Sequence, residues 1–138
     1  MNKTLPNTEI RKYLYNTINS TIPIFDTRVT GITQPSEYIL MTTQTADVDK
    51  TNKCAYRWDA SILLDFVVIS DRQGNTGSRL DLDDNMDTVR DLIETTGITL
   101  GEGLEVVWYR LSFPSGITNV TETEVVQRGF IRIELKIN

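Results

Sequence analysis

Apolar residues recur at every third or fourth position in two stretches of the chain, and this spacing predicts two helices. The first helix is predicted over residues 7–21 and the second over residues 78–95. The apolar residues that share one face are Ile10, Leu14 and Ile18 in the first helix and Leu82, Met86, Val89 and Ile93 in the second. Pro23 after the first stretch and Gly97 after the second are expected to stop the helices. Each helix therefore has one apolar side to bury.

Runs of β-branched and aromatic residues between and after the helices predict strands. The predicted segments are a short extended piece over residues 24–29 and longer strands over 38–45, 57–70, 104–113 and 125–137. The run over 57–70 is apolar on both faces, so it is expected to be a central strand. In the last run, Ile131, Ile133, Leu135 and Ile137 alternate with Arg132, Glu134 and Lys136. One face of the sheet should therefore be wetted at this end.

These elements predict a single α+β domain over residues 1–138. The sheet is expected to be mixed or mainly antiparallel, with about four to five strands and two helices packed on one face. Apolar content falls sharply between residues 46 and 57. That stretch is predicted to be a long exposed loop rather than a tight hairpin.

The composition leaves little with which to do chemistry. The 138 residues include no histidine and one cysteine, Cys54, so no imidazole is present to generate a thiolate and no internal disulfide can form. Paired carboxylates are the alternative, since Asp26, Asp65 and Glu105 could meet in space, although no spacing singles them out. We therefore expect no catalytic residues and no enzymatic function.

Two segments superficially suggest ligand sites. The acidic run over residues 81–85 lacks the glycine and glutamate that a calcium loop needs at its sixth and twelfth positions, and carboxylates are favoured at a helix N-terminus without an ion. Residues 74–78 place two glycines before a helix, but no lysine follows the second glycine as a phosphate-binding loop requires. We therefore expect neither a metal nor a cofactor.

The charge and hydropathy of the chain argue against nucleic-acid and membrane surfaces. The formal net charge is −5 and the sequence pI is about 4.7, whereas nucleic-acid binders usually carry a basic face. No run approaches the roughly 20 apolar residues of a membrane helix, and the N-terminus lacks the apolar segment of a secretory signal. We expect no membrane association and synthesis in the cytoplasm.

The segments follow one another along the chain in a distinctive order: the N-terminal helix, Ile24-Phe25-Asp26, Pro35 with Tyr38-Ile39-Leu40, a long polar insertion, the apolar strand over 62–69, the helix over 82–93 and the closing Gly129-Phe130-Ile131-Arg132-Ile133-Glu134-Leu135. In this order of elements, the chain resembles the tail-completion, or tail-terminator, proteins of long-tailed bacteriophages. The resemblance is one of pattern and covers most of the chain. The stretch over residues 99–123 fits it less closely, since the link between the last two strands is longer and more polar.

The resemblance implies a structural virion protein of the tail or neck, made in the cytoplasm of the host bacterium. It implies a ring, with six copies as the expected number, at the end of the tail tube, where it joins tail to head. The implied partners are other copies, the tail-tube protein and head-completion or adaptor proteins. Six copies at −5 each would carry a formal charge of −30. Negative charge around a channel would let DNA pass without specific binding.

Rings are built from heterologous contacts, so the polar loop is expected to reach a neighbouring copy. The candidate subunit or partner interface residues are Asp47, Asp49, Lys50, Lys53, Tyr56 and Arg57. A solvated loop of mixed charge is the simpler interpretation. Unpaired strand edges are the second candidate for subunit contact.

Two alternative functions remain open from the sequence. A head-to-tail adaptor or stopper ring of the neck would share the virion location and the absence of catalysis. A monomeric small-ligand-binding or regulatory domain would instead enclose a pocket between the helices and the sheet.

Overall fold

The computed structural model describes residues 5–26, 35–49, 57–71, 78–120 and 124–138. Within these ranges the chain forms two helices and six strands. They are α1 (Asn7–Ile18), β1 (Ile24–Asp26), β2 (Glu37–Asp49), β3 (Arg57–Asp71), α2 (Ser78–Thr96), β4 (Val106–Ser112), β5 (Ile117–Val120) and β6 (Glu124–Ile137).

The strands form one mixed sheet in the order β1-β2-β3-β6-β4, with β5 also paired to β6. β1 runs parallel to β2, and every other pairing in the sheet is antiparallel. β3 pairs with the whole length of β6, so β4 and β5 share the other edge of β6, one after the other. β4 and β5 together form one edge of the sheet.

Both helices pack on the same face of the sheet and bury one continuous core. From α1, Ile10, Leu14 and Ile18 are buried, and from α2, Leu82, Val89 and Ile93 are buried. The strand residues that meet them include Ile39, Ile62, Leu64, Phe66, Ile131, Ile133 and Leu135. A core of this composition is the main source of stability, at roughly 25 cal/mol for each Å² of apolar surface removed from water.

The predicted α+β class, with two helices on one face of a mixed sheet, is confirmed. The sheet has one strand more than the upper end of the predicted range, because β5 had no counterpart among the predicted strands. α1 ends at Ile18, three residues before the predicted end. The Thr21 N–H donates to the Ile18 carbonyl at 2.9 Å. α2 ends at Thr96, where Gly97 adopts a φ of 69° and its N–H donates to the Ile93 carbonyl at 2.8 Å.

The structure differs from the predicted exposed loop over residues 46–57. Residues 46–49 continue β2 and pair with β3 in an antiparallel ladder that runs from Ala46 opposite Ala60 to Asp49 opposite Arg57. Asp47 and Val48 are exposed strand residues, so the low apolar content there reflects exposure rather than a lack of regular structure. The remaining connection spans residues 50–56, which lie outside the described ranges.

Candidate functional site

The sheet face opposite the helices, here called the helix-free face, is the candidate functional surface. No helix in the described ranges packs against it. At one end, Tyr38, Leu40 and Val67 are buried and form an apolar cluster. Phe25 packs against this cluster and meets the Tyr38 ring edge-on, with ring centroids 6.3 Å apart. This end of the face is therefore held in place by its own packing.

The other end of the helix-free face is polar and contains an open depression of about 460 Å³. The charged side chains that line it are Asp47, Asp59, Arg132, Glu134 and Lys136. Lys136 Nζ lies 3.5 Å from Asp59 Oδ1, and the hydroxyl oxygens of Thr45 and Ser61 are 2.6 Å apart. Exposed ion pairs of this kind contribute at most about 1 kcal/mol, so a docking partner can rearrange them at little cost.

A buried carboxylate, that of Asp65, lies between the two ends of this face. Asp65 is 7% exposed, and its Oδ2 is 3.8 Å from the Nε of Arg128, which is a loose ion pair. Neither Asp65 Oδ1 nor Arg128 Nε has a hydrogen-bond partner in the part of the chain that the structure describes. Burial raises the pKa of the Asp65 carboxyl above its usual value, and the Arg128 guanidinium only partly offsets this. An unsatisfied buried charge of this kind costs stability.

Replacing Asp65 by asparagine is therefore expected to raise the free energy of unfolding at pH 7 by about 1 kcal/mol. Because the pKa is higher in the folded than in the unfolded chain, the folded state binds more protons between the two values. Stability of the unmodified protein should consequently fall as pH rises from about 4 through the folded pKa, and Asp65→Asn should flatten that slope. Urea titrations at several pH values measure both effects. A variant less stable than the unmodified protein at pH 7 would contradict this account.

The outer edge formed by β4 and β5, here called the β4–β5 edge, carries exposed apolar side chains. Val107, Trp108, Phe113, Ile117 and Val120 are between 45% and 59% exposed. All four residues of β5 are exposed, although the strand is paired along its length to β6. The edge therefore presents apolar side chains and strand main chain together.

No known protein-family profile matches the chain, and no curated protein matches it in sequence. Among solved structures, the fold is similar to that of a chain in the virion of a native gene transfer agent particle. The two share 9% sequence identity, with a TM-score of 0.62, and the match covers 94% of this chain and 96% of that chain. The likeness therefore concerns the fold of the whole chain rather than one motif.

The structure brings together only some of the interface residues expected from the sequence. Asp47 is exposed on the helix-free face, in the polar depression and opposite Asp59. Asp49 and Arg57 are paired across β2 and β3, at the end of that ladder. Lys50, Lys53 and Tyr56 lie outside the described residues.

For other residues of the helix-free face, the sequence predicted only on which side of a strand they lie. The alternation of β6 assigned Arg132, Glu134 and Lys136 to a wetted face, and the structure places all three in the depression. Their neighbours across the strands follow from the register, which pairs Lys136 with Asp59 and with Trp108. The sequence alone carries no signal for that long-range pairing.

The carboxylates considered for catalysis do not converge. Asp26 pairs with Arg11 of α1 at 3.1 Å on the helix-covered side, whereas Asp65 lies on the helix-free face. Glu105 precedes β4, and its main chain exchanges two hydrogen bonds with Asn138. In the described ranges no three carboxylate or cysteine side chains are grouped as a metal site would require. Neither described helix has the length and apolar character needed to cross a membrane.

Proposed function

We propose that this protein is a structural virion protein that forms a ring at the end of a phage-type tail tube and joins tail to head. The observation that supports this most is the fold likeness to a component of a gene transfer agent virion, which extends over nearly the whole of both chains. A shared fold alone is compatible with several functions. The resemblance of the sequence to tail-terminator proteins points to the same setting independently.

The surface features of the subunit are better suited to contact with other proteins than to binding and converting a small molecule. The depression on the helix-free face is open, and among the charged groups that line it Lys136 pairs with Asp59 while Glu134 pairs with Arg110. Small-molecule sites usually enclose most of the ligand surface. An open polar face beside an apolar strand edge is instead the composition of a protein interface, with an apolar centre and a polar rim.

The acidic balance of the chain also fits a ring through which DNA passes. Exposed acids on α2 are Asp81, Asp83, Asp84, Asp87, Asp91 and Glu94. DNA is held chiefly through neutralisation of its phosphates by lysine and arginine, so a subunit with net charge −5 would not retain it. In this proposal DNA crosses the ring without specific binding.

Cryo-electron microscopy of the particle that contains this protein tests the proposal. We expect a ring of identical subunits, with six as the expected number, between the tail tube and the head. Particles assembled without the protein should accumulate as separate heads and tails. Cross-linking then distinguishes a terminator, which contacts the tail-tube protein, from an adaptor or stopper on the head side. Absence of the protein from the particle, or a copy without rotational symmetry, would rule the proposal out.

A further inference from the structure

We propose that the β4–β5 edge pairs through its main chain with a strand of a second copy of this chain, so that the sheet continues from one subunit into the next. The inference rests on the proposed function for its premise that copies assemble side by side. It adds which surface makes the contact and by which chemical groups.

The direction of the main-chain groups on this edge follows from the sheet register. Glu105 and Asn138 exchange two main-chain hydrogen bonds, so the N–H and C=O groups of Asn138 point toward the β4 and β5 side of β6. The same holds for every second residue before Asn138 along β6, that is, for the even-numbered residues. The register of β6 with β3 is continuous, so this alternation holds to the start of β6. The same alternation predicts that the main-chain groups of Ile69 in β3 point toward β2. The Ile69 N–H does donate to the Ser36 carbonyl on that side, at 2.8 Å.

It follows that four residues of the edge turn their N–H and C=O groups away from β6. They are the partners of odd-numbered β6 residues in β5 and in the part of β4 that follows the register shift between Val106 and Trp108, namely Tyr109, Leu111, Thr118 and Val120. None of their outward main-chain groups has a main-chain partner within the described ranges. These are the groups that an added strand uses, and main-chain pairing of this kind recurs where extended segments join an exposed sheet edge.

The edge carries few of the charges that usually protect exposed strands, although β4 has a register shift between Val106 and Trp108 and β5 is only four residues long. Between Val106 and Val120 the sequence contains one charged residue, Arg110, and that side chain is engaged with Glu134 at 2.9 Å. Natural edge strands are commonly blunted with lysine or other charges, or with cover from another element. Pro114 lies in the connection between the two strands rather than within either of them. An apolar, nearly uncharged edge in a chain with 24% charged residues is therefore expected to be paired in the working protein.

A second copy is the partner favoured by the charge distribution. Two copies of a chain with net charge −5 repel each other, and the repulsion is strongest where exposed acids meet. Those acids are concentrated on α2, on the helix-covered side of the sheet, whereas residues 106–120 contain none. Contact along residues 106–120 of the β4–β5 edge therefore brings no acid of that segment against the next copy.

The strand directions also suit a head-to-tail repeat. β1, at the far side of the sheet, runs opposite to β4 and β5, because one parallel and three antiparallel pairings separate them. A rotation about an axis parallel to the strands keeps the direction of every strand. The β4–β5 edge of one copy would therefore lie antiparallel to β1 of the next copy. Such a heterologous contact generates a ring when the rotation closes.

The matched variants Thr118→Pro and Thr118→Val test the main-chain contact. Both lose the hydroxyl that donates to Gln127 Oε1 at 2.7 Å, but only proline also removes the outward N–H. Self-association is measured by sedimentation velocity over a range of concentrations. We expect Thr118→Pro to weaken association by about tenfold or more and Thr118→Val to stay within about twofold of the unmodified protein.

Hydrogen exchange of the unmodified protein provides a second measurement that needs no variant to fold. The amides of Tyr109, Leu111, Thr118 and Val120 should exchange at least about tenfold more slowly in the assembled than in the dissociated protein. If the protein assembles but the two Thr118 variants associate equally and these amides gain no protection, the inference is wrong and the ring proposal stands. If the unmodified protein never self-associates, even in the particle, both fail.

Discussion

Replacing Phe66 by alanine is expected to lower the free energy of unfolding by about 3–5 kcal/mol. Phe66 lies in the middle of β3, is 1% exposed and belongs to the core between the sheet and both helices. Its partner on β6 is Gly129, which has no side chain to fill the space left by a lost ring. The cavity should therefore collapse only in part, and the cost should be a large fraction of the 5–15 kcal/mol typical of a domain.

Phe113→Ala is the matched control for this prediction. Phe113 follows β4 and is 53% exposed, so its removal from the dissociated subunit should change stability by no more than about 0.5 kcal/mol. Chemical denaturation at low protein concentration compares the two variants without a contribution from assembly. Equal losses for the two phenylalanines would show that Phe66 does not lie in the folding core.

The central core was predictable because its signals are local. Alternation marked Ile62, Leu64 and Phe66 as one face of a strand, and helical spacing marked the buried residues of α1 and α2. Both signals arise from the need to bury one side of an element, and the structure buries those sides. The α+β class follows from the order of these elements.

The ends of the sheet were less predictable, because pairing rather than burial defines the strands there. β5 has four exposed residues and owes its extended form to β6. In β2 the register shifts between Thr42 and Gln44, so Gln44 joins the helix-covered side and its amide donates to the Asn7 carbonyl at 3.0 Å. Sequence alternation cannot be followed through such a bulge.

The candidate site was predictable only in part, for the same reason. Asp65 is the single charged residue of the sequence over residues 60–70, and the wetted residues of β6 were assigned to the correct kind of surface. The loose pairing of Asp65 with Arg128 depends on the register between β3 and β6, which links residues 63 positions apart. Outward main-chain groups on the β4–β5 edge likewise follow from register and have no sequence signature.

Gly129→Val is expected to destabilise the fold by about 3 kcal/mol, because α2 packs directly over this point of β6. A Cβ atom at Gly129 would lie 2.5 Å from Met86 Sδ and 3.4 Å from both δ-carbons of Leu82. Leu82 is 1% exposed and has little room to move, whereas Met86 is half-buried with a flexible side chain. The branched valine side chain should therefore force Met86 aside and displace α2 from the sheet.

The double variant Gly129→Val with Met86→Ala separates this steric effect from a change in strand backbone. Removal of the thioether opens the space that valine needs, so the two substitutions together should cost about 1–2 kcal/mol less than the sum of their separate effects. Urea denaturation of the four proteins in the cycle measures the coupling. Additive losses would instead mean that Gly129 is required by the conformation of β6 itself, and that the close approach of α2 does not determine the residue at this position.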